Sequence, residues 1–413
     1  MPSSSEPRLG ERGVALILVL VILPLVAIVL TQLHFEAMIG GRLSENILAH
    51  TQFRFAIEAR INQVRQRLVR DLKEDEENQQ TRYDHYGDAW GPKVGGGGTS
   101  RRVRKGDPER GDEVVIYTEI TDEQGKFNIN LLRHRDIKRR GKPFEVLTTL
   151  LDLFRDAEYA DVVENEWDLS PNEAKEVAEA IKKFTAGEAG DGMVPKAEVP
   201  DPHPDLKQGV YTIEDLVFCH PLFVEKRLME SFMDAESGQV LPSLSEFLTI
   251  YGDGKINANT APIQVLRALF REEEGRRDVA ERILDGRGGF LNNDEDLERQ
   301  QEDRERRDEM RLQGEDPDDD QELSKAYDTL NKLSQVDGMG DQGFLKRNDI
   351  DVARDFTIRT MFFSVVISAR RKHFLRQHRL VLERHNQGCL TWESEIRTAD
   401  IADLPEGEQL SED

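Results

Sequence analysis

The stretch GERGVALILVLVILPLVAIVL, from Gly10 to Leu30, decides how the rest of the chain is interpreted. The part from Val14 onward carries no charge, and as a helix rising ~1.5 Å per residue it would reach about 25 to 30 Å by residue 33. That length predicts a helix able to cross a membrane. Arg8 and Arg12 precede it, so the short leader is expected on the cytoplasmic side and the body on the other side.

The apolar run continues into a second helical pattern. No small-x-small cleavage site of the signal-peptide kind follows Leu30. One helix is therefore predicted for residues 14–73, with 14–34 transmembrane and 35–73 amphipathic, and Pro24 and Gly40-Gly41 are points where it could bend. Apolar residues recur in helical steps of three and four at Phe35, Ile39, Leu43, Ile47, Phe53, Ile57, Ile61, Val64, Leu68 and Leu72.

Strand patterns flank a large helical block. Residues 74–135 contain a linker and the first strands: residues 114–120 alternate, 122–125 favour a turn and 127–130 a returning strand. Residues 136–345 are mainly helical in pattern, with Ser170 and Glu173 in a capping box. Residues 346–400 predict three strands with a hairpin turn at 386–388, before an acidic tail at 401–413. This order predicts an α+β fold whose sheet is interrupted by an inserted α-helical domain.

The charge of the chain limits its partners. The 413 residues carry a formal net charge of −24, which argues against a general nucleic-acid partner. Much of the excess lies in residues 291–323, where fifteen acidic residues accompany five arginines. Such a segment is typical of a solvated insert rather than a site.

The leader and the helix together resemble the type IV pilin class, in which a short polar leader ending in glycine precedes an apolar assembly segment. Pilin-like leaders are cut after that glycine. The resemblance therefore implies a leader of residues 1–13, cleavage between Gly13 and Val14 by a prepilin peptidase, and methylation of Val14. Gly10 is a second candidate, but cleavage there would leave Glu11 and Arg12 on the mature end.

Leu18 occupies the fifth mature position, where most pilins and pseudopilins have glutamate. A subunit without that carboxylate cannot pair with the amino terminus of a subunit ahead of it, which suits a filament tip. The chain resembles the minor pseudopilin K family of type II secretion systems in four features. They are this departure, the beginning Val14-Ala15-Leu16-Ile17, the pair Trp90-Gly91 after the helix, and the interrupted sheet. The resemblance implies a type IV pilin-like fold and an interface that includes Leu16, Ile17, Leu18 and Leu20.

Function and location follow from the same resemblance. It implies a non-enzymatic subunit that initiates or caps a pseudopilus for export of folded proteins across the outer membrane. The expected partners are minor pseudopilins I and J and other pseudopilins. A single pass would anchor the chain in a bacterial inner membrane, with its body in the periplasm. A plain signal anchor is the alternative explanation of the amino-terminal segment.

An internal repeat raises the alternative hypothesis of an inner-membrane-anchored periplasmic protein that binds DNA through helix-hairpin-helix units. Residues 125–130 (GKFNIN) and 254–259 (GKINAN) share a G-K-apolar-N-x-N pattern, and the second precedes two helical segments like a DNA-binding helix-hairpin-helix unit. The loop between those segments mixes three acids with three arginines, so nucleic acid is not expected. A packing role, with asparagine side chains bonding the following backbone, is the preferred interpretation.

Other candidate chemistry is sparse. The resemblance to pseudopilin K implies that the helical domain binds calcium, and the loops that offer clustered oxygens contain Asp337 and Asp341 or Asp294 and Asp296. A solvated turn is the preferred interpretation of each loop, and the sequence does not choose between them. Cys219 and Cys389 are expected as buried thiols, or as a disulfide if the body is periplasmic. No HExxH, GxSxG or P-loop motif occurs, which disfavours an enzyme.

Overall fold

A computed structural model describes twelve stretches of the chain: residues 9–77, 82–88, 90–91, 103–105, 114–133, 142–155, 167–186, 212–233, 240–270, 278–287, 326–371 and 374–400. The chain divides into two compact units, residues 1–58 and residues 59–413. Residues 1–8 of the predicted leader 1–13, the acidic insert 291–323 and the acidic tail 401–413 lie outside the described residues.

The first element is a single long helix, α1, from Leu9 to Glu77. It continues through Pro24, so the break that proline can cause does not end it. The prediction of one helix is confirmed, but α1 begins before Val14 and ends beyond Lys73. The extra last turn, residues 74–77, is acidic and mainly exposed, a composition that carries no apolar periodicity to reveal a helix.

The main sheet has five antiparallel strands in the order β1-β2-β9-β10-β11. These strands are β1 (Val103–Lys105), β2 (Val114–Asp122), β9 (Phe362–Arg371), β10 (Phe374–His385) and β11 (Gly388–Asp400). Because β2 pairs with β9, strands that precede the helical block in the sequence share one sheet with strands that follow it. The three predicted terminal strands and their hairpin turn at residues 386–387 are confirmed.

The second part of α1 lies against one face of this sheet. Burial alternates along β2, with Ile116, Thr118 and Ile120 buried. The Nε of Arg60 donates to the Thr118 hydroxyl at 2.7 Å, and Arg65 donates to Thr391 on β11 at 2.7 Å. The apolar core on this face is formed by Ile61, Val64, Leu68, Leu72, Ile116, Ile120, Phe363, Val365, Ile367, Leu380 and Leu382.

The returning strand predicted at residues 127–130 is wrong. A 3-10 turn at Glu123–Gly125 follows β2, and β3 (Phe127–Asn128) pairs in parallel with β6 (Leu248–Thr249). Asp122 causes the change of direction, because its carboxylate accepts from the Gln124 backbone N–H at 2.7 Å and starts the turn.

The helical block packs around its own apolar core. Its helices are α2 (Lys142–Leu153), α3 (Pro171–Thr185), α4 (Leu222–Glu225), α5 (Ile263–Phe270), α6 (Asp278–Gly286), α7 (Leu330–Gln335), α8 (Gln342–Arg347) and α9 (Val352–Asp355). Short 3-10 turns at Ile129–Arg133, Ile213–Phe218 and Leu244–Glu246 connect them. Small two-strand pairs also lie within it: β4 (Phe232–Met233) with β5 (Val240–Leu241), and β7 (Ile256–Asn257) with β8 (Phe356–Thr357). The last helices end beyond the predicted boundary at residue 345.

The two repeated motifs, at residues 125–130 and 254–259, have equivalent structures. Each contributes a two-residue parallel pair, β3 with β6 and β7 with β8. The side-chain oxygen of Asn128 accepts from the Asn130 N–H at 2.9 Å, and that of Asn257 accepts from the Asn259 N–H at 3.0 Å. The packing role expected for these asparagines is therefore confirmed.

The capping box of α3 gives a first quantitative prediction. Glu173 N–H donates to the Ser170 hydroxyl at 3.5 Å, while the Ser170 N–H donates to the Glu173 carboxylate at 2.9 Å. Replacing Ser170 with alanine leaves a helix-end N–H without its acceptor, so we expect a loss of about 1 kcal/mol in the free energy of unfolding. Urea denaturation measures this loss. The S170T variant keeps the hydroxyl and should stay close to the wild type; equal losses in both variants would contradict the capping explanation.

Candidate functional site

The amino-terminal part of α1 presents apolar side chains to its surroundings. Leu16, Leu18 and Leu20 are 65%, 54% and 66% exposed. Within the described part of the chain, α1 is the one helix long and apolar enough to span a membrane. Since a soluble surface does not sustain so large an apolar area, this segment requires lipid or other helices around it. Gly13 and Val14 lie within α1, but the structure does not describe the side chains of Val14 and Ile17.

The apolar surface of α1 continues beyond the predicted membrane segment. Phe35, Ile39, Leu43 and Ile47 are each more than half exposed, and their steps of four place them along one helix face. This is the arrangement expected of a segment that packs against neighbouring helices. Of the sequence-predicted interface residues, Leu16, Leu18 and Leu20 thus lie on an exposed helix surface.

A second site lies where the carboxyl end of α1 meets the sheet. Arg384 on β10 is fully buried, and its guanidinium donates to Asp71 at 2.8 Å and to both carboxylate oxygens of Asp84 at 2.7 and 2.8 Å. It also donates to the Thr360 carbonyl at 2.7 Å. Asp84 is fixed further, because its carboxylate accepts from the Thr360 N–H at 2.7 Å. One guanidinium therefore joins α1, the segment after it, β10 and the loop that precedes β9.

Asp75 completes an acidic group around this guanidinium. One oxygen from each of Asp71, Asp75 and Asp84 lies within 4.8 Å of the others, and all three residues are buried. The Arg384 guanidinium already bonds two of the three carboxylates, so this is an ion-pair centre. Burial raises the pKa of Asp71 to about 6, although Arg384 opposes the rise.

Sequence reasoning missed this centre, although one signal was present. Asp71 and Asp75 follow Val64 and Leu68 by seven residues each, which places two acids on the buried face of α1. An acid on an apolar helix face predicts a buried cationic partner. The pattern does not reveal that the partner is Arg384, 313 residues away.

A buried polar network joins the sheet to the helical block. The Asp122 carboxylate at the end of β2 accepts from Thr260 at 2.5 Å and from Asn257 at 2.9 Å, and it also accepts from Thr360. Burial raises the pKa of Asp122 to about 6. These contacts hold the end of β2, where the chain leaves the sheet, next to the segment before β9, where the chain returns to it.

In the candidate calcium loop at residues 337–341, both carboxylates have other partners. The Asp337 side chain is 86% exposed and pairs with Arg282. The Asp341 carboxylate accepts from the Gly343 N–H at 2.8 Å, which caps α8. Among described residues, neither joins a group of three metal-ligating side chains. Asp294 and Asp296 lie outside the described residues.

The helices of the possible DNA-binding unit use their described arginines internally. Arg267 pairs with Glu281 at 2.8 Å, and Arg282 pairs with Asp337. Arg287 is buried and donates to the Ala258 and Ala261 carbonyls at 3.1 and 2.9 Å. These guanidinium groups therefore form ion pairs and hydrogen bonds within the protein that stabilise the positions of α5 and α6. The loop at residues 271–277 lies outside the described residues.

The two cysteines are free thiols, so the disulfide alternative is not formed. Cys219 is buried, and burial raises the pKa of its thiol. Cys389 is only partly buried, and its Sγ lies 3.8 Å from the Arg65 carbonyl oxygen. Raised thiol pKa values favour the unreactive protonated form, which fits structural thiols.

Comparison with known proteins gives a consistent result. No protein-family profile matches the chain. The type II secretion system protein K of Pseudomonas aeruginosa strain PAO1 is 28% identical over 297 residues, which cover 70% of this chain and 76% of that protein. In the crystal structure of the GspK-GspI-GspJ complex from the enterotoxigenic Escherichia coli type 2 secretion system, a chain matches with a TM-score of 0.51 and 13% identity. That match covers 86% of this chain and 99% of the other.

The fold and the exposed apolar segment define the class first. A long amino-terminal helix on an antiparallel sheet that a helical block interrupts makes this a pilin-like α+β protein. Within that class the chain resembles the type II secretion system protein K, both in sequence and in fold. The resemblance to the minor pseudopilin K family, expected from the leader and from Leu18, is confirmed.

Proposed function

We propose that this protein is a minor pseudopilin that initiates or caps the type II secretion pseudopilus, and so serves the export of folded proteins across the outer membrane. The observation that carries the proposal is the exposed apolar segment of α1, in which Leu18 stands at the position of the usual glutamate. Without that carboxylate, the subunit lacks the ionic partner for a subunit ahead of it and is suited to the tip.

The partners follow from the solved relative. Its crystal structure holds GspK together with GspI and GspJ. We infer the corresponding partners here, minor pseudopilins I and J, with contact through the apolar face at Phe35, Ile39, Leu43 and Ile47. The inferred location is the bacterial inner membrane, with α1 as a single anchor and the body in the periplasm. The large helical block would then obstruct further subunits above the tip.

Processing of the amino terminus tests the proposal directly. We expect a prepilin peptidase to cut after Gly13, because the apolar segment must survive processing to serve as anchor and assembly surface. Mass spectrometry of the membrane-extracted protein should find a chain that begins with N-methylated Val14. A G13L variant, which changes the residue before the cut, should remain uncut. An intact wild-type Met1, or a terminus after Leu30, would exclude a pilin-like subunit.

Calcium binding is proposed only in the part of the helical block outside the described residues. The resemblance implies calcium in the helical domain, and Asp294 and Asp296 are the preferred candidates, since both carboxylates of the loop at residues 337–341 have other partners.

A further inference from the structure

The ion-pair centre at the end of α1 carries more negative charge than its bonded cation can balance. Arg384 bonds Asp71 and Asp84, whereas no described residue donates a hydrogen bond to the Asp75 carboxylate. Asp75 is nevertheless buried, with only 7% of its surface exposed. One of its carboxylate oxygens lies within 4.8 Å of an oxygen of Asp71 and of an oxygen of Asp84. An ionised carboxylate in this place is poorly hydrated and repelled by both neighbours.

The groups around Asp75 come from four parts of the chain. On α1 there is Asp71, on which Glu74 acts in turn; on the following segment there are Asp84 and Asp88, with His85 lying 3.3 Å from Asp88; between β8 and β9 there is Arg359; and on β10 there is Arg384. Arg359 also donates to the Arg82 carbonyl at 3.2 Å. Acids therefore outnumber the two arginines.

His85 does not supply the missing positive charge. Its Nδ1 accepts from the Gly87 N–H at 2.7 Å, so the single ring proton lies on Nε2, which faces an Asp88 oxygen at 3.3 Å. A second ring proton would break the bond to Gly87. Burial accordingly lowers the pKa of His85 to about 4 and, aided by the charge of Asp71, raises the pKa of Asp88 to about 8.

We propose that Asp75 is a proton-controlled latch between the last turns of α1 and the segment at residues 82–88. When Asp75 carries a proton, Arg384 balances most of the remaining charge and holds the two segments together. When Asp75 ionises, three adjacent carboxylates repel one another and the end of α1 separates from Asp84 more often.

The direction of the pH effect follows from linkage. Burial, reinforced by the charges of Asp71 and Asp84, raises the pKa of Asp75 to about 7 from the ordinary 3.8. The closed latch therefore binds a proton that the opened segment releases. Closure is strongest in acid and weakens as the pH rises toward 7, because each pH unit between the two pKa values favours the opened form about tenfold.

Hydrogen–deuterium exchange of the full chain in detergent micelles tests the latch. The D75N variant has a neutral side chain of the same shape, so the pH dependence that it retains comes from the other carboxyl groups with raised pKa values, Asp71 and Asp88. We expect opening of residues 71–77 in the wild type, divided by opening in D75N, to rise about tenfold per pH unit between pH 5 and pH 7 and then to level off. The E77Q variant removes an exposed carboxylate from the same helix end and should follow the wild type.

Three results would overturn the proposal. One is a ratio between wild type and D75N that does not change with pH. Another is greater opening in D75N than in the wild type at pH 8, since the carboxylate charge would then be stabilising. The third needs no variant: exchange of residues 71–77 in the wild type, compared with that of α3 in the same sample, should increase from pH 5 to pH 7 after correction for the chemical exchange rate. An unchanged comparison would exclude the latch even if D75N failed to fold.

Discussion

The R384M variant is expected to lose about 3–5 kcal/mol of the free energy of unfolding. Methionine removes the guanidinium that balances Asp71 and Asp84 but leaves both aspartates buried between α1 and the sheet. An uncompensated buried charge costs more than the ion pair contributes, so the loss should far exceed that of an ordinary salt bridge. Chemical denaturation of the full chain in detergent, followed by circular dichroism, measures it.

A matched variant separates burial from simple loss of an arginine. Arg379 lies on the same strand and pairs with Glu214, but both side chains are partly exposed. The R379M variant should therefore lose less than about 1 kcal/mol. Comparable losses in the two variants would show that Arg384 does not act through its buried aspartates. Adding D84N to R384M should restore part of the stability, because it removes one of the stranded charges.

The W90A variant is expected to lose about 3–5 kcal/mol. Trp90 is 1% exposed, and its ring meets Phe363 edge to face with centroids 5.0 Å apart and Tyr86 at 6.0 Å. Alanine would leave a large cavity beside the sheet. The neighbouring Gly91 explains why the pair Trp90-Gly91 stands together: a Cβ at residue 91 would overlap the Tyr86 carbonyl.

Trp392 supplies the control for this variant. It is 60% exposed on β11, where its Nε1 donates to Glu383 at 2.7 Å. Because little apolar area is buried there, W392A should lose less than about 1 kcal/mol. Denaturation curves for W90A and W392A, followed by circular dichroism, would contradict the cavity explanation if their midpoints moved equally.

Local sequence signals predicted most elements of this fold. The uncharged run and its amphipathic continuation specify α1, and the capping box at Ser170 specifies the start of α3, because these signals lie within a few residues of their effect. The strand predicted at residues 127–130 failed for a different reason. Whether a short extended segment pairs with β2 or with a distant partner such as β6 depends on tertiary contacts that alternation does not encode.

The same difference between local signals and distant contacts decides which sites the sequence can predict. The proposed processing position and Leu18 are chosen by their distance from the start of the apolar run, so they need only the sequence and its resemblance. The centre at Arg384 cannot be identified in that way, since its members come from both ends of the chain. Calcium is an implication of the resemblance, and clustered oxygens alone selected the candidate loops; the carboxylates at residues 337 and 341 have other partners in the structure.

The pairing of β2 with β9 also determines when the sheet can form. Asp122 at the end of β2 lies opposite Phe363 near the start of β9, so the whole helical block closes a loop between two adjacent strands. Closing so long a loop is entropically unfavourable unless the block has already become compact. The sheet should thus be completed late in folding, after the block. A chain that stopped at residue 361 would lack three of the five strands, so even a truncation that spares most of the molecule would remove the surface on which the end of α1 is held.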